Sequence, residues 1–291
     1  MNVFGVVLFK KTAPARSMIH RIQDWCRNND SALMFQHLCP LAAEFPHIQC
    51  ARDEEHFTAA VDIVLSVGGD GTFLTAAHIV KFTPIPLMGI NLGSLGFLAN
   101  IEDYEVEECL TQVHTREYYT MDRMVLDVQV MRKNTVVHAM HALNDTYINR
   151  TVPRMISLSL RYDESYITDY VADGLIIATP SGSTAYSLSA GGPIVDPSLE
   201  AYIITPICPH SLNERPVVLS AHNSLTIRIN SKNPGMIFSV DGITSVELQA
   251  DDEVHLSYSG KNTRIIQFSQ HSYFDTLKSK LNWSGTKTKE K

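Results

Sequence analysis

The stretch Val61-Asp62-Ile63-Val64-Leu65-Ser66-Val67-Gly68-Gly69-Asp70-Gly71-Thr72 decides how the first part of the chain is read. Its first seven residues form a mostly apolar run of strand length that stops at glycines, the pattern of a buried strand. Gly68, Gly69 and Gly71 let the backbone turn sharply and approach a ligand, and Asp70 is the sole charged side chain in that turn. Beyond it, Phe73, Leu74, Ala76, Ala77 and Val80 recur at helical spacing until Pro84-Ile85-Pro86 ends the helix. The unit is therefore strand, glycine loop, helix, which offers backbone N–H groups to a phosphate with a carboxylate beside them. Either Asp70 is a turn former, or it handles a proton or a metal next to that phosphate. A Walker-type loop needs Lys followed by Ser or Thr, and a dinucleotide fingerprint needs a third glycine where Leu74 stands, so neither signature applies.

Working outward, Val3 to Phe9 reads as another buried strand, and Ile19, Ile22, Trp25 and Cys26 lie on one helical face. Leu87 to Ile90 is a further short strand, and Glu102 to Val113 an amphipathic helix with acids in its first turn. Strands alternating with helices predict a parallel sheet covered by helices. From about Met121 the period changes to two, as in Leu126, Val128, Val130 and again Leu158, Leu160, Tyr162. Strand candidates continue to Arg264–Phe268. The expected fold is an α/β N-terminal domain with a parallel sheet over residues 1–120, then a β-rich, β-sandwich-like C-terminal domain over 121–270. Residues 271–291 are expected to form a tail that packs back on the first domain, with a polar end frayed beyond Trp283.

At 291 residues, 44% hydrophobic and 19% charged, the chain is globular and long enough for a sizeable core. Its net charge of -7 argues against a broad electrostatic grip on nucleic acid. No apolar run approaches the ~20 residues of a membrane span, so no membrane partner is expected. Lys10 and Lys11 follow the first apolar run rather than precede it, unlike a secretory leader. The five cysteines are irregularly spaced with no Cys-x-x-Cys pair, which fits reduced thiols in a cytoplasmic protein.

A second glycine loop, Asn91-Leu92-Gly93-Ser94-Leu95-Gly96-Phe97-Leu98, follows the next strand, and in an open parallel sheet neighbouring strand ends can face one crevice. Phe97 is either core or a ring face for a base. In the β-rich part, Asn144-Asp145 sits in a strand-like stretch, where one of the two side chains must point inward unless the pair forms a turn. The run from Asp173 to Pro193 takes a buried strand into a loop dense in small and hydroxyl residues. There Ser181 and Thr184 can donate or accept hydrogen bonds and Tyr186 can stack. Gly-x-Ser-x-Gly is absent, which argues against a serine nucleophile. His138 and His141 fall on opposite faces of a strand, so no shared metal is expected, and no metal ligands are assigned. Phe238-Ser239-Val240-Asp241-Gly242 reads as a hairpin turn.

Taken in order, Gly68 to Thr72, Asn91 to Leu98, Asn144-Asp145 and Asp173 to Pro193 resemble the NAD kinase family, whose members phosphorylate the adenosine ribose 2'-hydroxyl of NAD. The glycine-acid loop alone is shared with lipid and sugar kinases; the combination is specific. The resemblance implies that Asp70 acts on the acceptor hydroxyl while Gly68, Gly69, Gly71 and Thr72 line the phosphates. It implies that Asn144 and Asp145 bind hydroxyls and base of the dinucleotide, and Asp173 its nicotinamide end. Ser181, Thr184, Ala185 and Tyr186 would surround the adenosine, with Phe97 bordering the pocket. ATP or polyphosphate as donor, Mg²⁺ or another divalent metal, and a homo-oligomer, a tetramer, are implied as well. Two positions depart from the family pattern. Asp145 stands where Glu is frequent, and Val171-Ala172 precede Asp173 where relatives often carry Arg, so a cation for the new 2'-phosphate must come from elsewhere.

Overall fold

A computed structural model of the chain describes residues 2–232 and 235–283; the polar end expected to fray lies, from residue 284 on, outside them. The chain forms two compact units, one from the residues up to Asp122 and from Thr263 on, the other from Arg123–Asn262.

The first unit runs β1 (Val3–Val7), α1 (Ala13–Asn28), β2 (Ala32–Phe35), β3 (Gln49–Cys50), α2 (Glu54–Ala60), β4 (Ile63–Gly68), α3 (Asp70–Ile79), β5 (Leu87–Asn91), α4 (Val106–Thr115) and β6 (Tyr119–Met124). Helix α1 starts where the Thr12 hydroxyl accepts from the Ala15 amide, with Pro14 in the first turn. It buries Met18, Ile19, Ile22, Trp25 and Cys26 against Phe4, Val6 and Leu65 of the sheet. Strands β3-β2-β1-β4-β5 lie side by side, and each of these neighbouring pairs is parallel. Gly68 pairs with Asn91, so both glycine loops leave adjacent strand ends at the carboxyl edge, where open α/β sheets place ligands.

The second unit contains β7 (Leu126–Arg132), β8 (Thr135–Ala142), β9 (Asp145–Arg150), β10 (Ile156–Tyr162), β11 (Ser165–Ala172), β12 (Gly174–Ala178), helix α5 (Tyr186–Ser189), β13 (Ala201–Ile207), β14 (Val217–Ser220), β15 (Leu225–Ile229), β16 (Met236–Val240), β17 (Thr244–Leu248) and β18 (Glu253–Ser257). They make two six-stranded sheets, β11-β10-β15-β18-β7-β8 and β14-β13-β12-β9-β16-β17. Every second residue faces a shared core, Val128, Leu158, Ile227 and Val254 from one sheet against Ile148, Leu175, Ile204 and Phe238 from the other. Strand β12 is buried along its whole length because Ile176 and Ala178 pack on the other face with Val195 and Ile203. That double burial explains its continuous apolar sequence.

One strand differs from the sequence reading. The last strand, β19 (Asn262–Gln267), does not close the β-rich domain at 270; it returns to the first sheet, where Ile265 pairs in parallel with Leu87. Its consecutive buried Ile265 and Ile266 suit a sheet covered on both faces, whereas the alternating strands of the second unit bury one. Helix α6 (Tyr273–Leu281) follows under a Ser272 cap and brings the Tyr273 ring to 6.3 Å from Phe97.

Within β5, Gly89 is where the chain after the second glycine loop lies closest to the sheet. A Cβ there would stand 2.6 Å from both the Leu98 oxygen and the Ala99 Cα, two backbone atoms that have little room to yield. Gly89→Ala is therefore expected to lower unfolding stability by about 1–3 kcal/mol, the usual cost of overpacking. Urea melts with an unchanged midpoint would contradict this packing.

Candidate functional site

In the first unit the site is organised by Asp70. Its residue opens α3 after Gly69, and the carboxylate reaches across to the second glycine loop. Oδ2 accepts from the Phe97 amide at 2.9 Å, and Oδ1 accepts from the amides of Leu98 and Ala99, each at 2.9 Å. Gly96 has no room for a side chain because its Cβ would collide with that carboxylate. Gly69 provides no side-chain cap, while the Thr72 and Phe73 amides turn back to its carbonyl. The start of α3 thus keeps the open N-terminus that favours anions. Asp70 is more than a turn residue, since it fastens two loops together.

The second unit has a matching arrangement that the sequence did not disclose. Asp241 sits in the hairpin turn between β16 and β17, as expected of that segment, with φ +51°. Its carboxylate accepts from three successive amides: Leu143 at 2.8 Å, Asn144 at 2.8 Å and Asp145 at 3.0 Å. Asn144 thereby lies in a turn and Asp145 opens β9. Both are buried, and the Asn144 Oδ1 has no hydrogen-bond partner. Burial, reinforced by the negative charge of Asp241, pushes the Asp145 carboxyl up to about 7, against the opposing pull of the Tyr186 backbone N–H.

Asp145 pairs with Ala178 at the end of β12, so the hydroxyl-rich segment begins beside it. Thr179 donates from its hydroxyl to the Leu143 carbonyl at 2.6 Å and from its amide to the Asn144 carbonyl at 2.8 Å. Residues Ser181–Thr184 form one 3-10 turn before α5, and the Ser181 Oγ is a second buried polar atom without a partner. Each of the two leaves a buried acceptor or hydroxyl free for a hydrogen bond from water or a ligand. Tyr186 meets Tyr147 edge-on at 5.2 Å.

At the other end of the same strands, a pocket of about 410 Å³ is lined by Arg150, Pro153, Asp173, Tyr186 and Ile207, among others. Arg150 grips Asp173 through two bonds, Nε to Oδ1 at 2.6 Å and Nη2 to Oδ2 at 3.1 Å. A cation therefore stands beside Asp173 although Val171 and Ala172 precede it in sequence.

The expected site residues fall into two groups. Gly68, Gly69, Asp70, Gly71, Thr72 and Phe97 gather in the first unit; Asn144, Asp145, Asp173, Ser181, Thr184, Ala185 and Tyr186 gather in the second. Asp241, Arg150 and Thr179 escaped sequence reading. Asp241 carried one signal, an Asp-Gly dipeptide like Asp70-Gly71; Arg150 carried none, because its meeting with Asp173 depends on strand register. His141 contacts Asp127 at 3.2 Å and Lys261 at 2.5 Å, and among the described residues no group of three or more His, Cys, Asp or Glu is arranged to hold a metal.

The Asp145 carboxyl has a consequence for stability. Unfolded, it titrates near ~3.9; folded, near 7, so as pH rises between these values the unfolded chain loses the proton first and stability falls. Asp145→Asn removes that loss. The variant is expected to match the parent near pH 4 and to melt at least ~2–4 °C higher at pH 8, the shift made by about 1 kcal/mol. Equal melting temperatures at pH 8 would contradict the buried-acid assignment.

Known proteins resemble this chain over both units. Residues 42–118 match the family model described as ATP-NAD kinase N-terminal domain, and residues 143–268 the one described as ATP-NAD kinase C-terminal domain. The NAD kinase of Geotalea daltonii is 38% identical over 240 residues, covering 81% of this chain and 84% of that protein. The NAD kinase of Magnetococcus marinus is 33% identical over 288 residues, covering 98% and 95%. Among solved structures, yeast NADH kinase complexed with NADH superposes with a TM-score of 0.91 at 26% identity, covering 100% of this chain and 90% of that one. An NAD kinase from Archaeoglobus fulgidus in complex with ATP gives 0.75 at 26% identity, covering 98% and 100%. With both halves matched and relatives of this identity spanning most of its length, the chain belongs to the NAD kinase family.

Proposed function

We propose that this protein transfers the terminal phosphoryl group of ATP to the 2'-hydroxyl of the adenosine ribose of NAD, yielding NADP and ADP. The observation that carries this reading is the Asp70 carboxylate, fixed between two glycine loops at the carboxyl ends of adjacent parallel strands. A ribose hydroxyl is a poor nucleophile at neutral pH. As its oxygen bonds to the γ-phosphorus and the bridge to the β-phosphate breaks, its proton must leave, and Asp70 receives it. Oδ2 accepts a single amide, which leaves a lone pair for that proton. Gly68, Gly69, Gly71 and Thr72 present the helix start to the donor phosphates and neutralise charge there without a Walker lysine.

The acceptor is held by the second group of residues. Asn144 and Asp145 bind its hydroxyls and base, Asp173 its nicotinamide end, and Ser181, Thr184, Ala185 and Tyr186 its adenosine. The unpartnered Asn144 Oδ1 and Ser181 Oγ support this, as both await a hydrogen bond. Arg150, held by both of its bonds to Asp173, fixes that carboxylate for the nicotinamide end. Mg²⁺ enters as part of the donor: this ion keeps several waters and binds chiefly through nucleotide phosphates, which suits a chain whose described residues offer no ready carboxylate cage. Polyphosphate is the alternative donor to be assayed beside ATP.

The protein acts in the cytoplasm as a homo-oligomer, a tetramer assembled through its β-rich unit. Its five free cysteines support the first statement. The exposed Tyr166, Ile167 and Val171 on β11 and Val217 and Val218 on β14 support the second. Light scattering that returns a monomer at working concentration would overturn the oligomer.

Incubation with MgATP and NAD is expected to produce NADP, with lipid and sugar acceptors inert. Alanine at position 70 would strand three amides at once, so Asp70→Asn, which keeps one acceptor, is the cleaner variant. It is expected to lower kcat by ~10²–10⁴-fold while still binding NAD by calorimetry. Near-parental kcat in that variant would sink the base assignment.

A further inference from the structure

We propose that Asp241 is a positioning residue for the acceptor site: by collecting the amides of Leu143, Asn144 and Asp145 on one carboxylate, it fixes the direction in which Asn144 and Asp145 face the dinucleotide. This rests on the reading that those two residues bind NAD. The arrangement is closed in both directions, since the Asp241 amide donates back to the Asp145 carbonyl at 2.8 Å. Asp241 is 8% exposed and Asp145 4%, so water cannot replace either set of bonds. Three consecutive amides pointing at one spot define a turn that β-ladder bonding alone would not produce, because ladder amides alternate in direction. Removing the acceptor would release that turn and, with it, the Asn144 carboxamide.

The second effect is electrostatic. Three influences reach the Asp145 carboxyl: its burial, the Asp241 charge from the β16–β17 turn, and the Tyr186 backbone N–H from α5. The residue opposite it on β12 is Ala178, which carries no charge. Burial, with the Asp241 charge adding to it, thus holds a proton on Asp145 into the neutral range, and a protonated carboxyl can donate to a ribose or base oxygen where a carboxylate only accepts. NAD binding should therefore weaken as pH rises past about 7.

The test is steady-state kinetics of the full chain across pH. In the parent, kcat/KM for NAD is expected to fall with a midpoint near 7, and Asp145→Asn to abolish that limb. Asp241→Asn keeps the shape but loses one acceptor and the charge. It is expected to raise KM for NAD about 10–100-fold, to leave KM for ATP within about twofold, and to move the midpoint to lower pH. Asp241→Glu restores charge without geometry, so its midpoint stays near neutral while KM stays raised. A merely structural Asp241 would change melting temperature and active fraction but neither KM for NAD nor the midpoint, and that result overturns the proposal. Should Asp241→Asn fail to fold, Asp241→Glu carries the test, and a parental KM for NAD in that variant overturns the proposal. If Asn144→Ala and Asp145→Ala leave NAD affinity unchanged, the acceptor-site reading fails instead, whatever Asp241 does.

Discussion

Among the described residues a carboxylate accepts from three consecutive backbone amides twice, once in each unit. Asp70 gathers the amides of Phe97, Leu98 and Ala99; Asp241 gathers those of Leu143, Asn144 and Asp145. Both sets belong to irregular turns whose amides have no ladder partner, and leaving such groups unpaired in a buried place costs about 1–3 kcal/mol each. An aspartate answers this well. It is short enough to stay in the turn and accepts at about four lone-pair positions, so one side chain satisfies what would otherwise take several. The acid in turn is held in one rotamer by the bonds it receives. Preorganisation of this kind is what phosphoryl transfer asks for, since little covalent chemistry falls to the protein and most of the barrier is met by position and field.

The same arrangement separates two roles that a sequence motif merges. Asp70 is the fastener and, in the proposed reaction, also the base: Oδ1 takes two amides, whereas Oδ2 takes one and keeps a lone pair. In the second unit the roles are divided between residues. Asp241 fastens, and Asp145, buried beside it with its carboxyl raised to about 7, is the residue proposed to meet the ligand. The short Asp145 side chain keeps its carboxyl close to the backbone and under the influence of Asp241.

Local pattern made much of this legible. The apolar run before Gly68 and the helical spacing after it located β4, the loop and α3, because a parallel strand buried on both faces leaves an unmixed apolar signature. Alternation from Met121 on announced antiparallel sheets with one wet face. What stayed hidden depends on partners far apart in sequence. Nothing in Arg264–Phe268 says which sheet accepts it, yet β19 lies beside β5. Asp241 reads as an ordinary hairpin residue until the turn 96–98 residues before it is brought to its carboxylate. Arg150 meets Asp173 through the pairing of β9 with the strand that Asp173 precedes, a contact that no local pattern discloses.

That last case shows how the core governs the site. Strand β12 lies between β9 and β13, with Ala178 opposite Asp145 at one end and Gly174 opposite Asn149 at the other. Leu175 and Ile177 face the sandwich core while Ile176 and Ala178 face the cover with Val195 and Ile203. A slip of one residue would exchange these two apolar sets, each fitted to its own neighbours, so the register is held from both sides. Holding it there sets Asn144-Asp145 against Thr179 and Tyr186 at one end and Arg150 against Asp173 at the other. The contacts proposed to grip the two ends of the dinucleotide are thus consequences of one strand pairing, and the core residues that fix that pairing are none of those proposed to bind.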